Sequence, residues 1–282
     1  MRLCCNDMAA ITACSNPLGE GALRKLPDLL DRLRGLGLTP IVGECVFGAH
    51  PTGRERAEEL MKFYRDDRVR AIFDISGGDL SNEVLEYLDF SVIKDHPKPF
   101  WGYSDLTVIL NAVYAKTGNA GCLYQIRNLI SADARRQTEA FRDTVLGDGR
   151  KLYDTKWDFI QGNCMEGIVV GGNIRCFLKL AGTQYFPDTR GKILFLESRS
   201  GREPLIRAFF CQLRQMGVLA EISGLLLGTF TEYESIQGNP PVEELARMAA
   251  GRADLPIAKT AQIGHGSDSR ALVIGDKLSI RV

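Results

Sequence analysis

Pro99-Phe100-Trp101-Gly102-Tyr103-Ser104-Asp105-Leu106-Thr107 is the stretch on which the reading of this chain turns. An apolar run stops at Gly102. A helical pattern with Leu106, Ile109, Leu110 and Val113 at three-to-four spacing starts at once, and Gly118 is its terminator. A strand that feeds straight into a helix puts Ser104 on a sharp turn beside the helix's first free N–H groups. Few other local geometries make a hydroxyl into a nucleophile. The same residues also make a plain helix start, since Ser is a favoured N-cap and Asp105 complements the helix dipole. On the turn alone the cap is the better reading, because Leu106 stands where the second Gly of a GxSxG elbow would be.

Outward from this turn the chain alternates. Ala9–Cys14, Leu38–Val42 and Val69–Ile75 read as strands. Gly19–Gly37, Arg54–Tyr64 and Asn82–Leu88 read as helices between them. Strands that are apolar throughout, separated by helices, imply a mostly parallel sheet covered on both faces. Between about Ala132 and Gly162 the apolar pattern thins. A second block then follows: a strand Ile168–Val170, a helix Ile174–Leu180, a strand Lys192–Leu196, a helix Pro204–Met216, a strand Ile222–Phe230, a helix Pro241–Gly251 and the run Ile257–Ile263. Ala271–Ile274 and Lys277–Val282 flank Gly275-Asp276, which suits a tight hairpin. The expected class is α/β: an N-terminal mostly parallel, doubly wound sheet in a Rossmann-like domain over residues 1–135, a linker over 136–164, and a second, smaller α/β domain over 165–282.

Lysines and arginines number 35 and are matched by 35 aspartates and glutamates, so no charge excess points to nucleic acid, a membrane surface or a disordered tail. The eight cysteines are scattered and form no CxxC pair, which argues against a zinc site and fits free thiols in a reducing cytoplasm. The first residues lack a signal-peptide core, and no apolar run reaches membrane-spanning length. Only His50, His96 and His265 are available for histidine chemistry.

Several residues at strand ends carry candidate chemistry. Gly77-Gly78 follows an apolar strand and lets the backbone approach a ligand or aim an N–H inward; Gly171-Gly172-Asn173 repeats the arrangement. His265 lies between two glycines on a loop, which leaves an imidazole accessible. Glu197 ends Ile193-Leu194-Phe195-Leu196, where a carboxylate can hold a histidine N–H. Asp74 is an alternative carboxylate. Each of these also has a bland reading as a loop, a surface histidine or a solvated strand end.

Together the motifs resemble the serine LD-carboxypeptidases and their relatives, the microcin C immunity peptidases. The resemblance rests on Gly-Tyr-Ser-Asp-x-Thr at Gly102–Thr107 and on the charged helix, strand and Gly-Gly turn of Arg56–Asp79. It rests also on the Gly-Gly-Asn at 171–173, on Gly182–Ser198 with its strand-ending glutamate, and on Ile263-Gly264-His265-Gly266. It runs from the first strand almost to Val282. It implies a Ser–Glu–His triad of Ser104, Glu197 and His265, with oxyanion donors at the Asp105 and Gly78 amides and no metal or cofactor. It further implies a small peptide or peptidyl-nucleotide substrate, a cytoplasmic enzyme and a homodimer. Gly77, Asp79, Asn173 and Arg199 are the expected substrate-binding residues, with Arg127, Arg175 and Arg199 as candidate cations for a substrate carboxylate. The chain departs from the family at Asp79-Leu80-Ser81-Asn82, which is closer to the immunity-type turn, at Ser198 after the glutamate, and at Gly121–Gln125, which lacks the usual Gly-Pro. The leading expectation is release of terminal D-alanine from a murein tetrapeptide, with an acyl-nucleotide substrate second. A non-catalytic two-lobed binding protein is the rival of another class. Trp157 reads as an interdomain packing residue, with base stacking as its alternative.

Overall fold

Runs of buried side chains mark the central strands of this computed structural model, which describes residues 2–282, while strands at the sheet edges keep exposed residues. The first five are β1 (Met8–Thr12), β2 (Thr39–Val42), β3 (Val69–Asp74), β4 (Phe100–Gly102) and β5 (Gly121–Leu123). The next five are β6 (Asp158–Gln161), β7 (Cys164–Asn173), β8 (Ile193–Ser198), β9 (Gly224–Phe230) and β10 (Ile257–Lys259). The chain closes with β11 (Leu272–Ile274) and β12 (Lys277–Arg281). The principal helices are α1 (Leu26–Gly35), α2 (Gly53–Arg65), α3 (Thr107–Thr117), α4 (Ala134–Phe141), α5 (Ile174–Leu178), α6 (Glu203–Gln215) and α7 (Val242–Ala250).

Two sheets form, in the orders β11-β5-β4-β3-β1-β2 and β12-β7-β8-β9-β10-β6. Strands β1–β5 are mutually parallel, as are β7–β10, and antiparallel strands edge both sheets. The two-domain α/β class read from the sequence is the class observed. In such sheets the carboxyl ends of parallel strands, near the point where strand order reverses, form the ligand crevice. Here the reversal falls between β1 and β3.

The last two strands correct the hairpin expectation. β11 pairs with β5 of the first sheet and β12 with β7 of the second, so Gly275-Asp276 is a crossing between sheets. The corner is pinned to β7: Gly275 N–H donates to Val169 O at 2.8 Å, and Val169 N–H donates to Asp276 O at 3.0 Å. The single helix expected over Gly19–Gly37 is two, Glu20–Arg24 and α1, broken at Lys25. Pro27 sits in the first turn of α1, where its missing N–H has no cost. The 136–164 stretch contains most of α4 and all of β6, which edges the second sheet.

α3 is what joins the sheets. Every side chain from Thr107 to Val113 is buried, so the helix is covered on all sides rather than along one stripe. Its Ile109, Leu110 and Val113 share one continuous apolar core with Val169, Ile193 and Phe195 of the second sheet. No helix among the described residues is long and apolar enough to cross a membrane.

Candidate active site

The carboxyl ends of both parallel sheets open into one cavity of about 640 Å³. Gly77 and Gly78 reach it from the end of β3, Ser104 from β4, Arg127 from β5, Arg199 from β8 and His265 from the loop past β10.

Ser104 has φ +58°, in the left-handed region, and Asn6 is the other non-glycine residue with positive φ among those described. Holding a β-carbon residue there costs on the order of 1–3 kcal/mol, strain that persists where the surroundings over-determine it. The hydroxyl caps nothing: Tyr103 is the extended residue before the helical turn, and no side-chain cap bond forms. The bland reading of this serine as an N-cap is therefore not what the geometry displays. The turn instead leaves the Asp105 N–H at the start of a helix, where backbone donors have no partner within the helix. Gly78 has φ +126°, and a β-carbon there would lie 2.3 Å from Asn16 Cγ, so only glycine fits against the asparagine.

Glu197 is fully buried at the end of β8, paired in register with Asn173 on β7. Asn173 Nδ2 donates to its Oε1 at 3.0 Å, while Asn173 Oδ1 caps α5 through Cys176 N–H. The other oxygen, Oε2, lies 2.8 Å from His265 Nδ1. That approach suits an ion pair, although the ring N–H is off line for a well-formed hydrogen bond, and Nε2 has no partner among the described residues. Catalytic hydrogen bonds are commonly misaligned until substrate is bound. The Tyr103 ring meets the imidazole edge-on, with centroids 5.0 Å apart at 70°, and so limits its rotation. Burial pushes the Tyr103 phenol well up, and the Glu197 charge adds to that shift.

The side chain of Asp105 holds the loops together. Its Oδ2 accepts from Ser15 Oγ at 2.7 Å and from Ser81 N–H at 2.9 Å, and its Oδ1 pairs with Lys179 Nζ. Burial alone would raise its pKa, but Lys179, Ser15 and Ser81 together hold the carboxyl below its ordinary value. Arg175, four residues before Lys179 on one face of the α5 segment, pairs with Asp79 and donates to Gly78 O at 2.8 Å. The Gly-Gly turn is thereby braced by the second domain. Arg175, a candidate carboxylate binder by sequence, is committed to Asp79 and does not line the cavity. Asp79 faces that arginine, Asn173 is buried beside Glu197, and Arg199 is an exposed cavity residue. The alternative carboxylate Asp74 is occupied by Cys14 N–H, Ser76 N–H and Ser76 Oγ. Trp157 lies edge-on to Phe195, with centroids 6.3 Å apart, and is not a cavity residue.

Profiles of two domains match the chain: the LD-carboxypeptidase N-terminal domain over residues 9–125 and the LD-carboxypeptidase C-terminal domain over residues 166–280. The chain belongs to the LD-carboxypeptidase family. A probable murein peptide carboxypeptidase of Bacillus subtilis is 31% identical over 277 residues, covering 91% of this chain and 84% of the relative. The microcin C7 self-immunity protein MccF of Escherichia coli is 26% identical over 273 residues, covering 85% of this chain and 79% of the relative. A solved structure of MccF in complex with glutamyl sulfamoyl guanosine superposes with a TM-score of 0.89 over 99% of this chain and 94% of that one, at 22% identity, and shows the shared fold.

Within this LD-carboxypeptidase frame the structure adds residues that the sequence reading did not single out. Asn111 of α3 donates from Nδ2 to Gly171 O at 2.8 Å and accepts from Gly171 N–H at 2.9 Å. Thr107 Oγ1 accepts from Asn173 N–H at 3.0 Å, and a β-carbon on Gly172, whose φ is +139°, would lie 2.5 Å from that oxygen. The helix that follows the Ser104 turn is thus bonded directly to the strand that supports Glu197. Gln137 of α4 ties down the histidine loop, donating to the carbonyls of Ser267 and Ser269 at 3.0 Å each and accepting from Tyr124 Oη at 2.8 Å. A lone Asn inside an otherwise apolar helix was the available signal for Asn111; Gln137 lies in a charged stretch and gives none.

Proposed function

We propose that this chain is a metal-independent serine carboxypeptidase in which Ser104 is the nucleophile, His265 the base and Glu197 the residue that orients His265. The observation that carries the reading is the strained Ser104, φ +58°, facing the same cavity as a histidine whose other nitrogen lies 2.8 Å from a fully buried glutamate. Ser104 Oγ attacks the scissile carbonyl carbon as its proton passes to His265 Nε2. The Asp105 and Gly78 N–H groups hold the developing oxyanion. His265 then returns the proton to the leaving amine as the C–N bond breaks, and water hydrolyses the acyl-enzyme by the same route in reverse.

The substrate we infer is a murein tetrapeptide, cleaved at the L-to-D bond so that terminal D-alanine leaves. The relative named as a murein peptide carboxypeptidase supports this choice. The Gly-Gly-Asp turn at 77–79 favours a second reading, hydrolysis of a peptidyl or aminoacyl nucleotide, in line with the relative MccF. Incubation of the purified protein with both substrates separates them. Release of D-alanine from the tetrapeptide is expected, and turnover of the nucleotide conjugate alone would replace the first reading with the second. A two-lobed binding protein predicts turnover of neither.

A further inference from the structure

The turn after β5, Gln125-Ile126-Arg127-Asn128, holds two donors that the fold leaves unmet. The Arg127 guanidinium is half-buried in the wall of the cavity that contains Ser104, yet it has no hydrogen-bond or ion-pair partner among the described residues. Its neighbour Asn128 is 7% exposed, and its Nδ2 is enclosed without an acceptor in the same wall. Buried polar groups are almost always hydrogen-bonded, and unmet donors in the wall of a cavity mark the place of a missing acceptor. Arg199, exposed and also without a side-chain partner among the described residues, lies in the wall of the same cavity.

No carboxylate of the protein answers these donors. Asp74 is the acid nearest in charge effect, and its oxygens are filled by Cys14 and Ser76. Burial pushes the Asp74 carboxyl up, which weakens it further as a counter-ion. Burial also works against the charge on Arg127, with Asp74 opposing that effect and Arg199 adding to it. Arg127 and Asn128 lie outside the stretches matched by the family profiles, 9–125 and 166–280.

Resting on the carboxypeptidase reading above, we propose that Arg127 and Asn128 form the subsite that receives the C-terminal carboxylate of the substrate, with Arg199 closing its outer side. A planar guanidinium fork and an amide N–H offer three or more donors to the lone pairs of one carboxylate, the geometry in which charge-assisted bonds are strongest. Such a subsite confines cleavage to the terminal residue, because an internal peptide bond presents no anion to it.

The test compares wild type, Arg127→Ala, Arg127→Lys and Asn128→Ala on three substrates: the murein tetrapeptide, its C-terminal amide and a peptidyl nucleotide. Fluorophosphonate labelling of Ser104 verifies that each variant is folded. Arg127→Ala should cut the acid-over-amide preference in kcat/KM by about 10- to 100-fold, mostly through KM, as loss of a charged hydrogen bond does. Arg127→Lys should restore part of that preference, and Asn128→Ala should show a smaller loss. Equal losses on acid and amide, or no loss, would overturn the assignment. A loss confined to the peptidyl nucleotide would make the bound anion a phosphate and overturn it as well. If wild type releases no D-alanine from the tetrapeptide, the carboxypeptidase reading itself fails, whatever the variants do.

Discussion

Asn111 and Gly171 exchange a reciprocal pair of hydrogen bonds, Nδ2 to O at 2.8 Å and N–H to Oδ1 at 2.9 Å, across the boundary between the two domains. One side chain thereby satisfies both backbone groups of a residue in the Gly-Gly-Asn end of β7. It does so from α3, the helix that follows the Ser104 turn.

Asn111→Ala should destabilise the protein by about 2–4 kcal/mol, since two backbone groups of Gly171 lose their buried partners. Urea unfolding measures it. A change within 0.5 kcal/mol, about the scale of an ordinary surface substitution, would mean that the clamp does not hold the domains.

Gly172→Ala tests the same junction by crowding. At φ +139° a β-carbon would lie 2.5 Å from Thr107 Oγ1, so the strand or the helix must shift. A loss of about 1–3 kcal/mol is expected from the backbone conformation alone. A parallel fall in kcat is expected, because Thr107 follows Ser104 by three residues and Asn173 supports Glu197. Unchanged melting temperature and turnover would contradict the close packing.

Asp105 gives a pH prediction. Its carboxyl is held below the ordinary value of 3.8 in the fold, so its contribution to stability is complete above that pH and is lost as pH falls toward the lower folded value. Lys179→Met removes the paired cation and leaves a fully buried carboxylate with only neutral donors. Breaking a buried pair in this way costs on the order of 3–5 kcal/mol at neutral pH. The folded pKa of Asp105 should then rise, so the variant's deficit should shrink as pH is lowered from 7 towards 4. A deficit independent of pH would show that Lys179 acts through packing alone.

The strands that position the site were legible because burial on both faces writes a continuous apolar run, as in Val69–Ile75 and Ile193–Leu196. The ends of those runs pointed to Gly77-Gly78 and Glu197. Three-residue β5 was too short to stand out from its surroundings. Gly275-Asp276 has the chemistry of a hairpin turn, but turn chemistry does not say which strand pairs with which. Leu272–Ile274 found its partner in the first sheet, about 150 residues earlier in the chain. Pro27 split a helix whose leucine spacing alone looked unbroken. Around the site, the pairing of Arg175 with Asp79 and of Lys179 with Asp105 depends on how the domains dock, which no local pattern encodes.

Glu197→Gln probes the orienting role without moving the backbone. The amide keeps an oxygen for Asn173 but presents no charge to the imidazolium that forms at His265. By analogy with other serine hydrolases kcat should fall by about 10²–10⁴. Initial rates of D-alanine release measure it, and a loss below tenfold would remove Glu197 from the mechanism.

The most direct measurement is fluorophosphonate modification followed by intact mass and peptide mapping, run beside D-alanine release from the murein tetrapeptide. One adduct per chain is expected, located on Ser104, with label and turnover both abolished in Ser104→Ala and the labelling rate strongly reduced in His265→Ala. A Ser104→Ala protein that still takes the label, or keeps more than a few per cent of wild-type turnover, would contradict the assignment of Ser104 as nucleophile.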